Sequence, residues 1–571
     1  MKLFSWLILV ILLNVMFSWM TNLPQNVGDD VPAGKLKSLS YAPFREGHDP
    51  MLELFPNENQ MDEDLALLGN VTYNIRTYAS AEGSMPLIPD LAKKHGLTML
   101  QGGWLGSYKA NTPDKSAKLK AKNDLEIAEL IRSANANPDV VKRVIVGNEV
   151  LLRGDLEIDE LIAYIRQVKA AVKQPVSYAD VWSEYMKNPQ LIKEVDFITI
   201  HILPYWEDEP ISVADAPAHI ERIYKQVQQE AQKIAGDKPI LIGESGWPSG
   251  GKQRGFSVPS VVNEAHFIRD LIKVANKNGF DYNIVEAFNQ PWKSAFEGVI
   301  GAKWGLYDSS RQQVFSLTGK VYENQNWVKL LAVSTFLFLS VAVVFRHLLT
   351  TLSQNRLLTF LATIQILAVL FVSQAQTLWT TSYTDFQRFQ TLFVLGFNVL
   401  FVTFVLMRIV AILTKKMTPS LLSKRLYFGL LVVIAYALCK TGILAWDGRY
   451  VDFPIAPLQT TVFSIIALAF INRFVEKMPV NVNALIGFVR HDNVKIIRNL
   501  FICFSVALIV GESYAFIVSR DFIMAYPSIS HRLMMAVLYT FSNTQLLLWL
   551  ASLGVLAMPF YLSGKMTKSP L

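Results

Sequence analysis

From Trp327 onward the chain is a succession of apolar runs near the length of a bilayer crossing, at 328–345, 357–375, 391–413, 426–445, 455–471, 499–518 and 541–562. About 20 apolar residues in helical form cover the hydrocarbon of a membrane, and only structures that satisfy their own backbone survive there. These segments are therefore expected to be helices in lipid. The opening stretch, MKLFSWLILVILLNVMFSWM, is an eighth such run. It ends in Ser18, Trp19, Met20 and Thr21 rather than in the small residues of a cleavage site, so it reads as a retained anchor. The expected organisation is an anchor at 1–20, a water-exposed domain at 21–326, and an all-α membrane domain of about seven helices at 327–571.

Cations fix an orientation for such an array, because Lys and Arg collect on the cytoplasmic side. With the N-terminus inside, the inner loops are 346–356, 414–425, 472–498 and the tail, carrying among others Arg346, Arg356, Lys415, Lys416, Lys424, Arg425, Arg473, Lys477, Arg490, Lys495, Arg498, Lys565 and Lys568. The outer loops near 376–390, 446–454 and 519–532 are poorer in cations. Residues 21–326 then lie outside the cytoplasm. That segment holds 33 Lys+Arg against 40 Asp+Glu, whereas 327–571 holds 20 against 7. The formal net charge of +7 thus reflects membrane orientation and does not call for a nucleic acid. The two cysteines, Cys439 and Cys503, both fall in apolar runs, so the outer domain rests on its core and not on disulfides.

Within the outer domain, KSLSYA, VTYNIRTYA, LTMLQGGWL, KRVIVGNEV, QPVSYADVW, DFITIHILPYW, KPILIGESGW and YNIVEAFNQPW alternate with amphipathic stretches such as 124–134 and 158–172. Eight strands alternating with helices predict an α/β fold of the (β/α)8 TIM-barrel type. A doubly wound sheet is the alternative, but no GxGxxG follows the first strand. In a barrel the chemistry sits at the C-terminal ends of the strands. Those ends carry Tyr41 and Arg45, Arg76 and Tyr78, Gln101 and Trp104, Asn148 and Glu149, Tyr178, Asp180 and Trp182, His201, Tyr205 and Trp206, Glu244 and Trp247, and Glu286, Asn289, Gln290 and Trp292. Carboxylates among flat aromatic faces suit a sugar polymer, whose C–H faces stack on rings while its hydroxyls bond polar groups.

Two glutamates directly follow strand runs, Glu149 after VIVGN and Glu244 after ILIG, 95 positions apart. That is close to three βα units of about thirty residues and matches the fourth and seventh strands. Two carboxylates from those strands would face one glycosidic oxygen, and a separation of ~5 to 5.5 Å would make the reaction retaining. Taken singly, an acid at a strand end is as readily a helix cap or an ion-pair partner; the pair in register carries the inference. No His, Cys and Asp spacing suggests a metal site, and no phosphate loop is present. The expected chemistry is free of cofactor and metal.

"GNEVLLRG" at 147–154 and "GESGWPSGG" at 243–251 resemble the signatures of glycoside hydrolase family 17, the β-1,3-glucanase and glucanosyltransferase family. "SYAPFREG", "IRTYA" and "EAFNQPWK" resemble strands one, two and eight of its bacterial and fungal branches. The likeness covers residues 36 to about 308. It implies that Glu149 is the acid/base, that Glu244 is the nucleophile, and that Asn148 bonds the sugar 2-hydroxyl. Asn289 and Gln290 stand where relatives often carry acidic residues. Among the remaining rim residues, Arg76, Tyr78, Trp104, Tyr178, Trp182, His201, Tyr205, Trp206, Trp247, Glu286 and Trp292 are the expected substrate contacts. Trp247 is expected as a sugar platform and Tyr205 as an orienter of Glu244, while Glu286 has an ion pair with Lys293 or Arg76 as its alternative.

Membrane-anchored proteins similar to this one build extracytoplasmic β-glucan, which implies a retaining transglycosylase acting on β-1,3/β-1,6-glucan in the inner membrane of a bacterium, with its barrel on the periplasmic side. Its expected partners are a β-gluco-oligosaccharide or glucan donor and acceptor and the lipid bilayer. A β-1,3-glucanase is the enzymatic alternative, and a polysaccharide-binding anchor or sensor the non-enzymatic one. Within the apolar half, Lys440 and Glu512 are expected to pair.

Overall fold

A computed structural model describes residues 2–563. The chain divides into two compact units, residues 24–323 and the segments flanking them. The first unit is a closed barrel of eight parallel strands in sequential order. They are β1 Leu39–Ser40, β2 Asn74–Arg76, β3 Thr98–Gly103, β4 Val141–Asn148, β5 Val176–Val181, β6 Ile198–His201, β7 Ile240–Ser245 and β8 Asp281–Ile284. Each falls on one of the eight stretches read as strands, β4 and β8 beginning one residue earlier than expected, at Val141 and Asp281. β1 pairs with β8 through Leu39 and Ile284, which closes the cylinder.

The helices between strands form where apolar positions recur every three or four residues. Helix Ile158–Ala171 buries Leu161, Ile162, Tyr164, Ile165 and Val168 as one stripe, and a capping box between Glu157 and Glu160 starts it. Helix Val261–Asn278 begins where the Ser260 hydroxyl accepts the Asn263 N–H and stops at Gly279, whose φ of +72° ends the helical path. Such stripes pack against the outer face of the strands and bury the apolar side chains whose removal from water is the main stabilising term.

Register irregularities gather at the site end of the barrel. They lie between Ile145 and Asn148 on β4, Ile200 and His201 on β6, and Ile242 and Ser245 on β7. A bulge re-aims the side chains beyond it, and here those are Asn148, His201 and Glu244. Gly147, with φ of +81°, makes the turn on β4 that an L-residue would resist.

Ion pairs close the barrel below and brace its rim. Asp281 accepts from Lys37 and Arg143, both at 2.6 Å. At the rim, fully buried Asp64 binds Arg45 at 2.9 Å and Arg311 at 2.6 Å. Arg311 also donates to the carbonyls of Pro43 and Ser309 and lies 4.1 Å from the Phe288 ring centre. Tyr41 is buried beside this cluster, and Arg45 is held by it, so these two rim residues brace loops instead of meeting substrate.

Among the described residues of the second unit, eight helices are long and apolar enough to cross a membrane: Leu3–Thr21, Trp327–Val344, Gln354–Thr380, Asp385–Leu413, Ser420–Trp446, Ile455–Val475, His491–Val518 and Thr544–Ser563. Each contains or closely overlaps one of the expected runs. Some buried polar groups there are satisfied by neighbouring helices: Gln374 and Asn398 both donate to the Pro457 carbonyl, at 3.0 and 3.1 Å. Arg408 donates to the carbonyls of Leu485 and Ala484, at the C-terminal end of the short helix Val482–Ile486, where a cation offsets the helix dipole.

Two expectations for this unit are corrected. Lys440 lies 5.9 Å from the Tyr436 ring centre, a cation–π placement one helical turn away, rather than in a pair with Glu512. Residues expected as loop at 519–532 include helix Arg520–Ala525 and the start of helix Ile529–Phe541. Lys565 and Lys568 of the expected basic tail lie outside the described residues.

Asp64→Ala would leave two guanidiniums without their buried carboxylate, a loss of about 3 kcal/mol or more by the usual cost of breaking such a pair. Thermal unfolding of the full-length protein in detergent, followed by circular dichroism, should show a clearly lowered midpoint for this variant.

Candidate active site

Four strand ends converge on one buried guanidinium. Arg76, 1% exposed at the end of β2, donates through Nη1 to the Gly243 carbonyl at 2.7 Å and to Glu244 Oε1 at 2.9 Å. Through Nη2 it donates to Asn148 Oδ1 at 2.6 Å and meets His201 Nε2 at 3.4 Å. With its Oδ1 fixed by Arg76, the Asn148 side chain has its NH2 left to donate to a substrate hydroxyl. A Cβ on Gly243 would fall 2.4 Å from the Thr199 methyl group, so β7 needs glycine there to pack against β6. The first glycine of the 243–251 stretch thus serves the barrel wall.

His201 ties the two glutamates together. Its Nδ1 lies 2.8 Å from Glu149 Oε1 and its Nε2 3.6 Å from Glu244 Oε1. One oxygen from each carboxylate and one ring nitrogen fall within 4.8 Å of one another. Such a trio has donors that can ligate a cation. The positive charge beside it is supplied by Arg76. Sequence spacing gave no sign of this cluster because its members come from three separate strands.

Burial opposes the charge on Glu149, but the hydrogen bond and charge of His201, with the Arg153 and Arg76 guanidiniums, outweigh it and hold the carboxyl below its ordinary value. Arg153 was missed in the sequence reading, although it stands in the quoted "GNEVLLRG". Its Nη1 donates to the Asn148 carbonyl at 2.6 Å and its guanidinium lies 4.4 Å from the Trp104 ring centre. Glu126 was missed as well: buried in the helix Pro113–Ala136, it accepts the backbone N–H groups of Ser80, Ala81 and Trp104 and so fixes the loops after β2 and β3.

The other expected contacts separate into two groups. Tyr78, Trp104, Trp182, Trp206 and Trp292 are partly exposed. Tyr78 donates to Ser40 at 2.9 Å and lies under Arg76. Trp206 stacks on Trp304 with 6.3 Å between centroids. Trp182 and Trp292 are anchored through their indole nitrogens to Glu207 and Gln290. Against expectation, Trp247, Tyr178 and Tyr205 are fully buried. Trp247 donates to the Val258 carbonyl and packs on Phe267, so it is core and offers no sugar platform. Tyr205 donates to the Lys252 carbonyl and not to Glu244. Tyr178 donates to Asp180. Glu286, 2% exposed, takes the ion-pair alternative, with Lys293 Nζ 3.1 Å away.

Beneath the mouth the barrel is polar. Asn74 donates to Ser38, Ser38 to Asn283, Asn283 to Ser40 and to the Gly243 carbonyl, and Tyr78 to Ser40, all within 2.6–2.9 Å. This connected chain fixes the floor under Arg76.

Against known proteins, residues 38–305 match the BtgE/BtgC glycoside hydrolase domain. The stretch is similar to that glycoside hydrolase domain and spans a little under half of the chain. A glucan 1,3-beta-glucosidase of Arthroderma benhamiae is 29% identical over 44% of this chain and 82% of that protein. The btgC protein of Aspergillus niger is 26% identical over 48% of this chain, and the match spans only 42% of its own length. A solved β-1,3-glucanosyltransferase of Rhizomucor miehei, in a mutant complex with laminaritriose, is 27% identical, covering 49% of this chain and 95% of that one with a TM-score of 0.40. The apolar half lies beyond these matches.

The Glu286 carboxyl is pushed up to about 7, chiefly by burial, against the pull of Lys293. A carboxyl raised on folding stabilises fully at pH below its unfolded value and loses that contribution as pH climbs through the folded one. Wild-type protein should therefore lose part of its thermal stability between about pH 4.5 and 7 through this group. Midpoints measured across that range should fall less steeply for Glu286→Gln.

Proposed function

We propose that this protein is a membrane-embedded, retaining β-glucan glucosyltransferase that needs no cofactor and lengthens or branches glucan outside the cytoplasm. The observation that carries the reading is the approach of the Glu149 and Glu244 carboxylates to within 4.8 Å around His201 at the barrel mouth. That proximity suits a nucleophile and an acid sharing one anomeric carbon and leaves too little room for a water between them.

In the first step Glu244 attacks the anomeric carbon of the donor while Glu149 gives its proton to the glycosidic oxygen. The bond from anomeric carbon to oxygen breaks and the leaving sugar departs as the alcohol. His201 Nδ1, at 2.8 Å, holds the Glu149 carboxyl in place through its hydrogen bond. Arg76 keeps Glu244 aimed for attack through the hydrogen bond at 2.9 Å. In the second step ionised Glu149 removes the proton of an acceptor hydroxyl, whose oxygen displaces Glu244 from the anomeric carbon. A sugar acceptor gives transfer and water gives hydrolysis, with the same two glutamates serving both.

The placement rests on the eight apolar helices and the distribution of cations. Charge asymmetry supports a barrel on the extracytoplasmic side of the plasma membrane, in a bacterium the inner one. Tethering alone needs one span, so the remaining seven favour a role in holding or passing a growing polymer, hence transfer. Hydrolysis is the second reading, favoured by the glucosidase named among the relatives. Two retained carboxylates in one site weigh against a non-catalytic anchor.

Full-length protein incubated with short β-1,3-gluco-oligosaccharides should yield chains longer than the input. Glucose and shorter fragments alone would instead support hydrolysis. Glu244→Ala should abolish either product pattern, and turnover at the parent rate in that variant would remove the assignment.

A further inference from the structure

Glu149 has a φ of +52°, in the left-handed region that costs a residue with a Cβ roughly 1 kcal/mol or more and is retained only where the surroundings hold it. The means of holding it are on the neighbouring strand. The Glu149 N–H is bonded to the Ala179 carbonyl at 2.8 Å. Beyond it the chain turns away, and the amides of Leu151 and Leu152 are held by two β5 side chains. The Tyr178 hydroxyl accepts the Leu151 N–H at 3.0 Å, and Asp180 Oδ2 takes the Leu152 N–H in a longer contact of 3.4 Å. The Tyr178 hydroxyl in turn donates to that same Asp180 oxygen.

The clamp is itself held rigid. Asp180 Oδ1 accepts the Val181 N–H at 2.8 Å, and the Tyr178 carbonyl accepts the Tyr185 hydroxyl at 2.6 Å. Both Tyr178 and Asp180 are fully buried, so neither can meet a sugar. A hydroxyl with one partner on the turn and another on Asp180 fixes distance and direction together, which a purely apolar contact would not do.

We infer that Tyr178 and Asp180 are positioning residues that lock the left-handed turn at Glu149 and thereby set the reach of its carboxyl to the leaving oxygen. This rests on the reading of Glu149 as the acid/base. The clamp touches the turn after β4 and makes no recorded hydrogen bond to Glu244, so its loss should impair protonation of the leaving group and spare nucleophilic attack.

The experiment compares two donors built on the same β-1,3-gluco-oligosaccharide, one with a sugar leaving group and one with 2,4-dinitrophenolate, which departs unprotonated. The quantity read is kcat/KM, which reports the first covalent step. For Tyr178→Phe and Asp180→Asn in the full-length protein, the sugar donor should lose about tenfold or more, a part of the ~10²–10⁴-fold that general acid catalysis supplies, while the dinitrophenyl donor stays within about threefold. Glu149→Ala calibrates the assay and should show the same split more strongly. If Glu149→Ala shows no split, the acid/base reading fails and the inference with it. If Glu149→Ala splits the donors but Tyr178→Phe, whose shape is nearly unchanged, slows both equally or neither, the positioning role alone is overturned. Melting curves for each variant identify any loss due to unfolding, and Tyr178→Phe decides the question if Asp180→Asn does not fold.

Discussion

The site is organised around a cation that cannot leave. Arg76 is buried, spans the barrel interior, and draws Gly243, Glu244, Asn148 and His201 to within hydrogen-bonding reach of one guanidinium. Two carboxylates as close as Glu149 and Glu244 would repel each other in a low dielectric without such compensation. Arginine suits the task because its planar fork presents several donors in fixed directions and stays charged under all ordinary conditions. The polar chain from Asn74 through Ser38, Asn283 and Ser40 to Tyr78 lies under that fork, and the register breaks on β4, β6 and β7 aim the residues it gathers. Catalytic geometry in this barrel is thus a consequence of how the strands are kept in place around one charge.

Periodicity made the strands legible, and the ends of β4 and β7 exposed Glu149 and Glu244 because a carboxylate closing an apolar strand run stands out against its background. Burial was harder to read. Trp247, Tyr178 and Tyr205 sit at strand ends in the sequence, yet each turns into the packing between β-strands and loops, where an aromatic ring with one polar atom finds both apolar area and a hydrogen-bond partner. Alternation along a strand says which face a residue takes, and it does so only until a bulge shifts the count. The bulges on β4, β6 and β7 lie within a few residues of the site. Partnerships across strands, such as Glu126 with three loop amides or Arg153 with the Asn148 carbonyl, leave no local trace and required the folded chain.

The two halves of the sequence answer to different solvents. In the barrel, charges are numerous, and those that enter the interior do so in groups such as Arg76 with Glu244, or Asp64 with Arg45 and Arg311. Among the apolar helices they are few, and buried polar groups are absorbed by backbone carbonyls, as with Gln374, Asn398 and Arg408. Length and composition alone located those helices, since about twenty apolar residues leave few alternatives. The detailed pairing of Lys440 was not readable, because a flexible ammonium near a ring finds an adequate partner on its own helix.

The central claim is that Glu244 carries the glucosyl group between the two steps while Glu149 serves the leaving and entering oxygens. A donor with fluorine at the sugar 2-position and an activated leaving group slows departure of the covalent intermediate and allows it to be isolated. Digestion and mass spectrometry of the treated full-length protein should place one added fluoroglycosyl mass on the peptide containing Glu244. The same mass on Glu149, or on neither residue while the leaving group is released, would contradict the account.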